Sequence, residues 1–376
     1  MINLTKDIIL PGATIGIVGG GQLGRMMITS AKEMGYKVIV LDPTADCPAG
    51  QMADSQIVAS YDDFEALKEL AEKSDVVTYE FENVSVETLE KLSDIINLPQ
   101  GTNLLAKTQD RLTEKEFLES CGVDIAPHKQ VETSEQLGNA LEEIGYPSVL
   151  KTIRGGYDGK GQYVLKSVED ISDAEKLLST GAVCELEAWV PFDKEISVIV
   201  AGNGYEFKVF PVVENIHVNN ILHETIAPAR VSDDISEKAK KIGLIIAEKL
   251  DLRGVLAIEM FLTKDGKIYV NELAPRPHNS GHYSIEACNF SQFDAHIRGV
   301  LGWPLADVEL LSPALMVNIL GQHLEGTYDL ISQKNDWHFH YYGKDESKVN
   351  RKMGHITILT DCIENTLSEV DENKNW

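Results

Sequence analysis

Residues 14–42 constrain the fold more than any other stretch. An apolar run, TIGIVG, is followed by the turn GGGQLG, by RMMITSAKEMG at helical spacing, and by a second apolar run, KVIVLD. Two neighbouring buried strands joined by one helix pair in parallel through a right-handed crossover, so the chain opens as α/β. Gly19, Gly21 and Gly24 fit G-x-G-x-x-G, and Asp42 ends the second strand. Glycines here permit a tight turn and close approach of a ligand to a helix N-terminus. One reading is a dinucleotide site with Asp42 on a ribose. The other is a related fold whose turn binds something else, and Gln22 in the turn is not explained by dinucleotide binding. After a surface segment over residues 1–12, the parallel sheet extends to about residue 100. DVVTYEFENV places Glu80, Glu82 and Asn83 at the carboxyl end of a strand, where such sheets bind ligands.

A second constraint lies far downstream. GVLAIEMFL (254–262) and IYVNELA (268–274) are apolar runs joined by Asp265-Gly266, a hairpin signal that puts Glu259 and Glu272 on neighbouring antiparallel strands. An acid inside an apolar strand is costly unless it is paired or binds a metal. Two acids plus the Asn271 amide oxygen are ligands of the kind Mg²⁺ takes beside substrate phosphates. The alternative is two acids salt-bridged to lysines on a solvated face. The chain then leaves through APRP into a polar loop carrying Arg276, His278, Asn279, Ser280 and His282.

Between these landmarks, residues 109–123 read as a helix with Arg111 near its start, either a solvated arginine or a phosphate contact. Residues 134–189 form a compact α/β unit around Gly155, Gly156, Gly159 and Gly161, bracketed by Lys151 and Gln162. No GK[ST] precedes a helix, so this is not a P-loop. A strand–glycine loop–strand of this kind is a mobile lid whose N–H groups can face a triphosphate and which orders on nucleotide, with Lys151 as the phosphate cation. In EAWV (187–190) a purine could bond to backbone groups while Glu195 takes ribose hydroxyls. A strand pair with His217 just beyond it, an amphipathic helix over 232–251 and a helix over 285–302 follow. From about residue 302 the composition turns β-rich. KDESKVNRK (344–352) has four basic and two acidic residues in a chain of net charge −25. Lys344, Arg351 and Lys352 there make either an anion site or a solvated hairpin tip. The last dozen residues read as disordered.

The acidic balance argues against nucleic acid or an anionic membrane surface as partner. No apolar run approaches a membrane span and no signal-peptide plan opens the chain, which points to the cytoplasm. The five cysteines are scattered, indicating neither a disulfide framework nor a zinc site.

Taken in order, GGGQLGRM, DRLTEKE, GGYDGKGQ, NELAPRPHNSGHYSIEA, SQFDAHIRG and RKMGHITIL resemble the ATP-grasp superfamily. Within it they resemble the N5-carboxyaminoimidazole ribonucleotide synthases of purine biosynthesis, over nearly the whole chain. The resemblance implies an α/β ATP-grasp fold in three domains. These are an N-terminal Rossmann-like pre-ATP-grasp domain (1–108), an ATP-grasp domain (109–300, lid about 125–190) and a small C-terminal β-rich domain (301–376). The implied reaction phosphorylates bicarbonate with ATP and carboxylates the exocyclic amine of 5-aminoimidazole ribonucleotide, with no covalent enzyme intermediate. ATP contacts fall on Arg111, Lys151, Gly156, Tyr157, Asp158, Gly159, Lys160, Gly161 and Gln162. Further ATP contacts fall on Glu187, Ala188, Trp189, Val190, Glu195, His217, Asn271 and Glu272. Mg²⁺ falls on Glu259 and Glu272. The reacting groups would be met by Asp158, Arg276, His278 and Asn279, and the ribonucleotide by Gln22, Leu23, Glu80, Tyr157, Lys344, Arg351 and Lys352. A homodimer is also implied. A formate-using transformylase of the same superfamily is the nearest alternative. An NAD-dependent oxidoreductase is a remote one, because it leaves the second glycine loop and both strand acids unexplained.

Overall fold

The computed structural model describes residues 8–156 and 161–373. It begins with β1 (Thr14–Val18), α1 (Gln22–Glu33), β2 (Lys37–Leu41), β3 (Ser55–Ile57), α2 (Phe64–Lys73), β4 (Val76–Tyr79), α3 (Val86–Lys91) and α4 (Gly101–Thr108). The strands run in the order β3-β2-β1-β4, all parallel. A parallel sheet is covered on both faces, and its strands are apolar on both. Ile15 and Ile17 meet Met27 and Ile28 of α1 on one side. Val18 and Leu41 meet Leu67 and Leu70 of α2 on the other.

Helix α5 (Arg111–Cys121) follows, capped by Asp110, whose carboxylate accepts from Leu112 N and Thr113 N. A small antiparallel sheet comes next, with strand order β5-β8-β6-β7. It contains β5 (His128–Val131), α6 (Ser134–Ile144), β6 (Ser148–Thr152), β7 (Gln162–Leu165), α7 (Ile171–Leu178) and β8 (Cys184–Ala188). One face buries Leu150, Leu165, Cys184 and Leu186 against α6 and α7. The other carries Lys151, Glu185 and Glu187.

The rest of the chain builds a nine-stranded antiparallel sheet, β14-β13-β9-β11-β12-β15-β17-β16, with β10 beside β9. Its elements are β9 (Phe192–Asn203), β10 (Phe207–Val209), β11 (Val213–Val218), β12 (Ile221–Ala227), α8 (Asp233–Lys249), β13 (Arg253–Thr263), β14 (Ile268–Ala274), α9 (Ser284–Ala287) and α10 (Gln292–Val300). It is completed by β15 (Ala314–Leu320), α11 (Leu324–Ile331), β16 (Trp337–Tyr341), β17 (Lys352–Leu359) and α12 (Ile363–Asp371). The β-rich tail therefore shares a sheet with the preceding strands, through β12 and β15.

Two expectations are corrected. The helix expected over 285–302 is two helices: the chain turns at Cys288 to bridge Leu310, and Ser291 with Asp294 starts α10 as a capping box. The final residues are not all disordered, since α12 buries Ile363, Thr366 and Val370. Among the described residues no helix is long and apolar enough to cross a membrane.

Helix α10 is the wall common to the first sheet and the large one. Phe293, Ile297 and Val300 join the α1 core, while Ala295 packs with Ile199, Ala201, Val255 and Ala257. His296 bridges the two sheets. Val255 N–H donates to its Nδ1 (3.2 Å), which leaves Nε2–H for the Thr78 hydroxyl (2.9 Å), and Thr78 donates on to Gln100 (2.6 Å). Burial holds this imidazole neutral, with its pKa near 3. The contact is closest at Gly299, where an added Cβ would stand 2.3 Å from Gly202 O and 2.6 Å from Gly254 N. Backbone cannot step aside as a side chain can. Gly299→Ala should therefore destabilise the protein by about 1–3 kcal/mol, read as a lowered urea midpoint at unchanged m-value.

Candidate functional site: a cleft between two sheets

The hairpin β13–β14 sets the floor of the site. Glu259 and Glu272 are register partners, and the register slips immediately afterwards so that Met260 faces Val270. Asn271 is thus the extra residue of a β-bulge. The bulge shifts the alternation: Ile268, Val270 and Leu273 all enter the core. Asn271 and Glu272 are left together on the opposite face, with Glu259. Three oxygen-bearing side chains gather where strict alternation would give two, and the Asn271 Oδ1 is buried without a partner among the described residues.

Each acid is held. Arg111 Nη1 lies 3.4 Å from Glu272. His278 Nε2 lies 3.0 Å from Glu259, at the end of a chain of hydrogen bonds running out of the sheet interior. Thr225 donates to Asn215, Asn215 to Ser197, Ser197 to Ser280 and Ser280 to His278 Nδ1. That direction leaves Nε2–H to point at Glu259 and fixes the tautomer. Burial opposes charge on Glu259, but His278, then His217 and Lys352, hold its pKa down at about 2.

The facing wall comes from the small sheet. Lys151 pairs with Glu187 Oε2, and Lys115 Nζ donates to Glu187 Oε1 at 2.7 Å and to the Asn271 carbonyl at 3.1 Å. Lys115 is 1 % exposed. Burial raises the Glu187 pKa, yet the two ammonium groups win and hold it near 2. Beside it Glu185 is fully buried, neither oxygen has a hydrogen-bond partner among the described residues, and burial together with Glu187 raises its pKa. The N–H groups of Ala188 and Trp189 bond to Pro127 O and Pro147 O. Of the backbone donors expected for a purine, Val190 N–H has no acceptor among the described residues. Trp189 is half-exposed and stacks on Phe192, which stacks on Phe261 with centroids 4.7 Å apart. Glu195 and His217 lie 3.1 Å apart, close enough to pair but poorly aligned for a hydrogen bond. Burial works against a proton on His217, but Glu195 raises its pKa. Gly161, at φ +71°, and Gln162 close onto β6, where Gly161 O accepts from Thr152 N and Gln162 faces Lys151. Gly156 is described; Tyr157, Asp158, Gly159 and Lys160 lie outside the described residues.

The third wall is the N-terminal glycine turn, and its ligands are the chain's own acids. Glu80 accepts from Gly21 N (2.5 Å) and Leu23 N (3.3 Å). Asp42 accepts from Gly20 N, Thr44 N and the Tyr61 hydroxyl. Cβ atoms at Gly20 and Gly21 would meet Asp42 and Glu80 respectively, so the glycines admit carboxylates where a dinucleotide's pyrophosphate would sit. This removes the oxidoreductase alternative. Across from the turn, Gln51 donates to Gly343 O and is itself held by Arg25, which docks the 343–352 hairpin on the first sheet. Lys344 Nζ donates to Lys352 O (2.7 Å). Burial, with help from Arg351, pushes the Lys344 pKa down to about 8 against the pull of Glu80.

Three domain families match the chain in succession: ribonucleotide synthetase preATP-grasp domain (12–109), ATP-grasp domain (116–293) and phosphoribosylaminoimidazole carboxylase C-terminal domain (314–369). The N5-carboxyaminoimidazole ribonucleotide synthase of Bacillus subtilis (strain 168) is 50% identical over 369 residues, 98% of this chain and 97% of that one. The chain belongs to the N5-carboxyaminoimidazole ribonucleotide synthase family. A crystal structure of an N5-carboxyaminoimidazole ribonucleotide synthetase with ADP superposes at TM-score 0.97 with 55% identity, covering 99% of both chains. A synthase of this family from Aspergillus clavatus, in complex with ADP and 5-aminoimidazole ribonucleotide, superposes at 0.89 with 33% identity, covering 96% of this chain and 97% of that one.

Within this synthase family frame, three of the expected residues have surroundings the sequence did not show. Asn279 is buried in a reciprocal amide pair with Asn318 (3.0 and 2.9 Å), which pins the loop and uses one N–H and one lone pair of its amide. The Leu23 side chain enters the α1 core, leaving Gln22 half-exposed beside it. Lys352 opens β17, and its charge acts on Glu259, His217 and Lys344 alike. Lys115, Glu185 and Arg25 were not expected. Lys115 did carry a signal: it stands four residues after Arg111, on the same helix face.

Proposed function

We propose that the chain carboxylates the exocyclic amine of 5-aminoimidazole ribonucleotide with bicarbonate and ATP, through carboxyphosphate, in de novo purine biosynthesis. ADP and phosphate are released. The observation that carries this reading is that the acid floor, the lysine wall and the basic hairpin converge: Lys115 joins Glu187 to Asn271, Arg276 joins the β14 loop to Glu82, and Lys344 feels the charge of Glu80, on a chain that matches its relatives from end to end. The γ-phosphoryl group passes to a bicarbonate oxygen. The amine nitrogen then attacks the carboxyl carbon, phosphate leaves with its bonding pair, and the amine loses a proton, for which Asp158 is the candidate acceptor.

Mg²⁺ fits the floor: Glu259, Glu272 and the Asn271 Oδ1, which has no partner among the described residues, are hard oxygen donors on one face. When bound it would neutralise charge on the phosphates. The protein's own part is positional and electrostatic. Lys151 and Arg111 meet phosphate charge, His278 holds Glu259 in place, and Arg276 faces the anionic carboxyl group. A cytoplasmic homodimer belongs to the same reading, and light scattering checks the dimer. The defining assay is ADP release with bicarbonate, with formate and with each candidate ribonucleotide; release that requires formate instead would overturn the proposal.

Lys344 and Arg351 would hold the ribonucleotide phosphate. Lys344→Ala and Arg351→Ala should each raise the KM for the ribonucleotide by a factor of roughly ten to a hundred, the equivalent of a charge-assisted hydrogen bond, and leave that for ATP unchanged. A rise for ATP instead would reverse the two phosphate sites. Phosphate binding needs the charged amine, and burial holds the Lys344 pKa at about 8. The kcat/KM for the ribonucleotide should therefore fall as pH rises through that region, and Lys344→Ala should flatten that limb.

A further inference from the structure

We infer that Glu82 is a positioning residue for the carboxylation step, fixing the guanidinium of Arg276 so that one edge is presented to the reacting anion. The inference rests on the bicarbonate reading above. Arg276 leaves β14 in the APRP loop. Its Nε donates to Glu82 Oε2 at 2.7 Å and its Nη1 to Pro277 O at 3.3 Å, and among the described residues Nη2 has no partner. The two side chains are 20% and 27% exposed, so the pair is largely out of water. Burial opposes the charge on Glu82, yet Arg276 holds its carboxyl below the ordinary range.

Glu82 is itself held. Gln109 Nε2 donates to the carbonyls of Glu82 and Val84, fixing the loop after β4. The arginine loop is held from the same domain, since Gln100 Nε2 donates to Pro275 O. An arginine side chain left alone samples many rotamers, and its value in recognising a carboxylate or phosphate lies in a planar fork already aimed. Two contacts, on Nε and Nη1, define that plane and leave the remaining edge for an oxyanion, in the geometry that favours charge-assisted hydrogen bonds.

The position of Glu82 in the chain adds a second consequence. Two residues earlier, Glu80 holds the glycine turn through Gly21 and Leu23. Between them Phe81 packs on Tyr61, with ring centroids 4.6 Å apart. One three-residue segment, Glu80-Phe81-Glu82, therefore touches both the turn that bounds the ribonucleotide and the arginine that meets the anion. The two reactants are registered against each other by a single stretch of backbone. With Arg276 misaimed, phosphorylated bicarbonate would decompose in water before the amine reached it.

The test compares Glu82→Gln, which keeps an oxygen acceptor for Nε but not the charge, with Glu82→Ala, which removes both. ADP and carboxylated product are measured together, with separate KM values for bicarbonate and ATP and a urea midpoint. Glu82→Ala should raise the bicarbonate KM about ten- to a hundredfold, as loss of a partner that orients a binding group does elsewhere, release more ADP than product, and leave the ATP KM unchanged. Glu82→Gln should fall between it and the unsubstituted protein. An unchanged bicarbonate KM with ADP and product still equal would overturn the inference. A parallel fall of every parameter with the urea midpoint would overturn it too, as the sign of a structural brace alone. If ADP release by the unsubstituted protein ignores bicarbonate, the functional reading is what fails.

Discussion

Glu272→Gln should reduce ADP formation by about a hundred- to a thousandfold, the usual effect of removing one preorganised charge at a phosphoryl-transfer site. Glu272 and Glu259 face each other across the hairpin, and the bulge adds Asn271 to the same face. Replacing one carboxylate by an amide keeps size and an oxygen but removes a unit of charge from a group meant to meet a divalent cation. The fold should survive, because the Glu272 side chain is 42% exposed and, among the described residues, its ion pair is with one Arg111 nitrogen at 3.4 Å. Two measurements separate the causes: ADP formation over a range of Mg²⁺, and calorimetric titration of Mn²⁺ into the nucleotide complex. Near-normal turnover at modest Mg²⁺ would sink the assignment of the acid floor.

Lys115→Met should destabilise the protein by about 3 kcal/mol, the order expected when one partner of a buried ion pair is removed. Its ammonium group has two partners from different sheets, Glu187 on β8 and the Asn271 carbonyl on β14. Methionine fills most of the volume, so the loss is one of charge and hydrogen bonding rather than of a cavity. Among the described residues it leaves Glu187 with Lys151 alone, and Glu185 and Glu187 with less compensating charge. The KM for ATP should rise as well, since Glu187 and Asn271 would no longer be held together. Urea denaturation reads the first effect. The double variant Lys115→Met/Glu187→Gln should recover part of the loss, because it removes both buried charges. A loss below about 1 kcal/mol, the range of solvated pairs, would show that this lysine is not the bridge described.

Much of this was legible in the residues. The parallel opening, the acid hairpin and the paired lysine and glycine loop follow from patterns a few residues long. Asp265-Gly266 sets the hairpin turn, and the β13–β14 register it leads into pairs Glu259 with Glu272. Even the bulge left a trace, since the core residues Ile268, Val270 and Leu273 break the period of two. The split of the 285–302 helix was also written locally, in Ser291 and Asp294. The apolar spacing runs on through Cys288 and hides it. Helix α12 is hidden for the opposite reason, since its three buried residues make too weak a stripe in a polar tail.

The partners of charged groups were a different matter. Asp42 looked like a ribose ligand, and in the fold it braces a turn 22 residues away. Glu80 fills the anion site of a helix 59 residues before it. Lys115 finds Glu187 at a separation of 72 and Asn271 at 156, and Arg276 finds Glu82 at 194. The sequence by itself determined the order of the elements, which acids sit in apolar strands and which loop is basic, because helix and strand periods and turn chemistry act between near neighbours. Only the tertiary structure decided which charge meets which. A buried charge is tolerable when an opposite charge or a hydrogen bond reaches it, and for Lys115 and Arg276 that partner is brought in from a distant part of the chain.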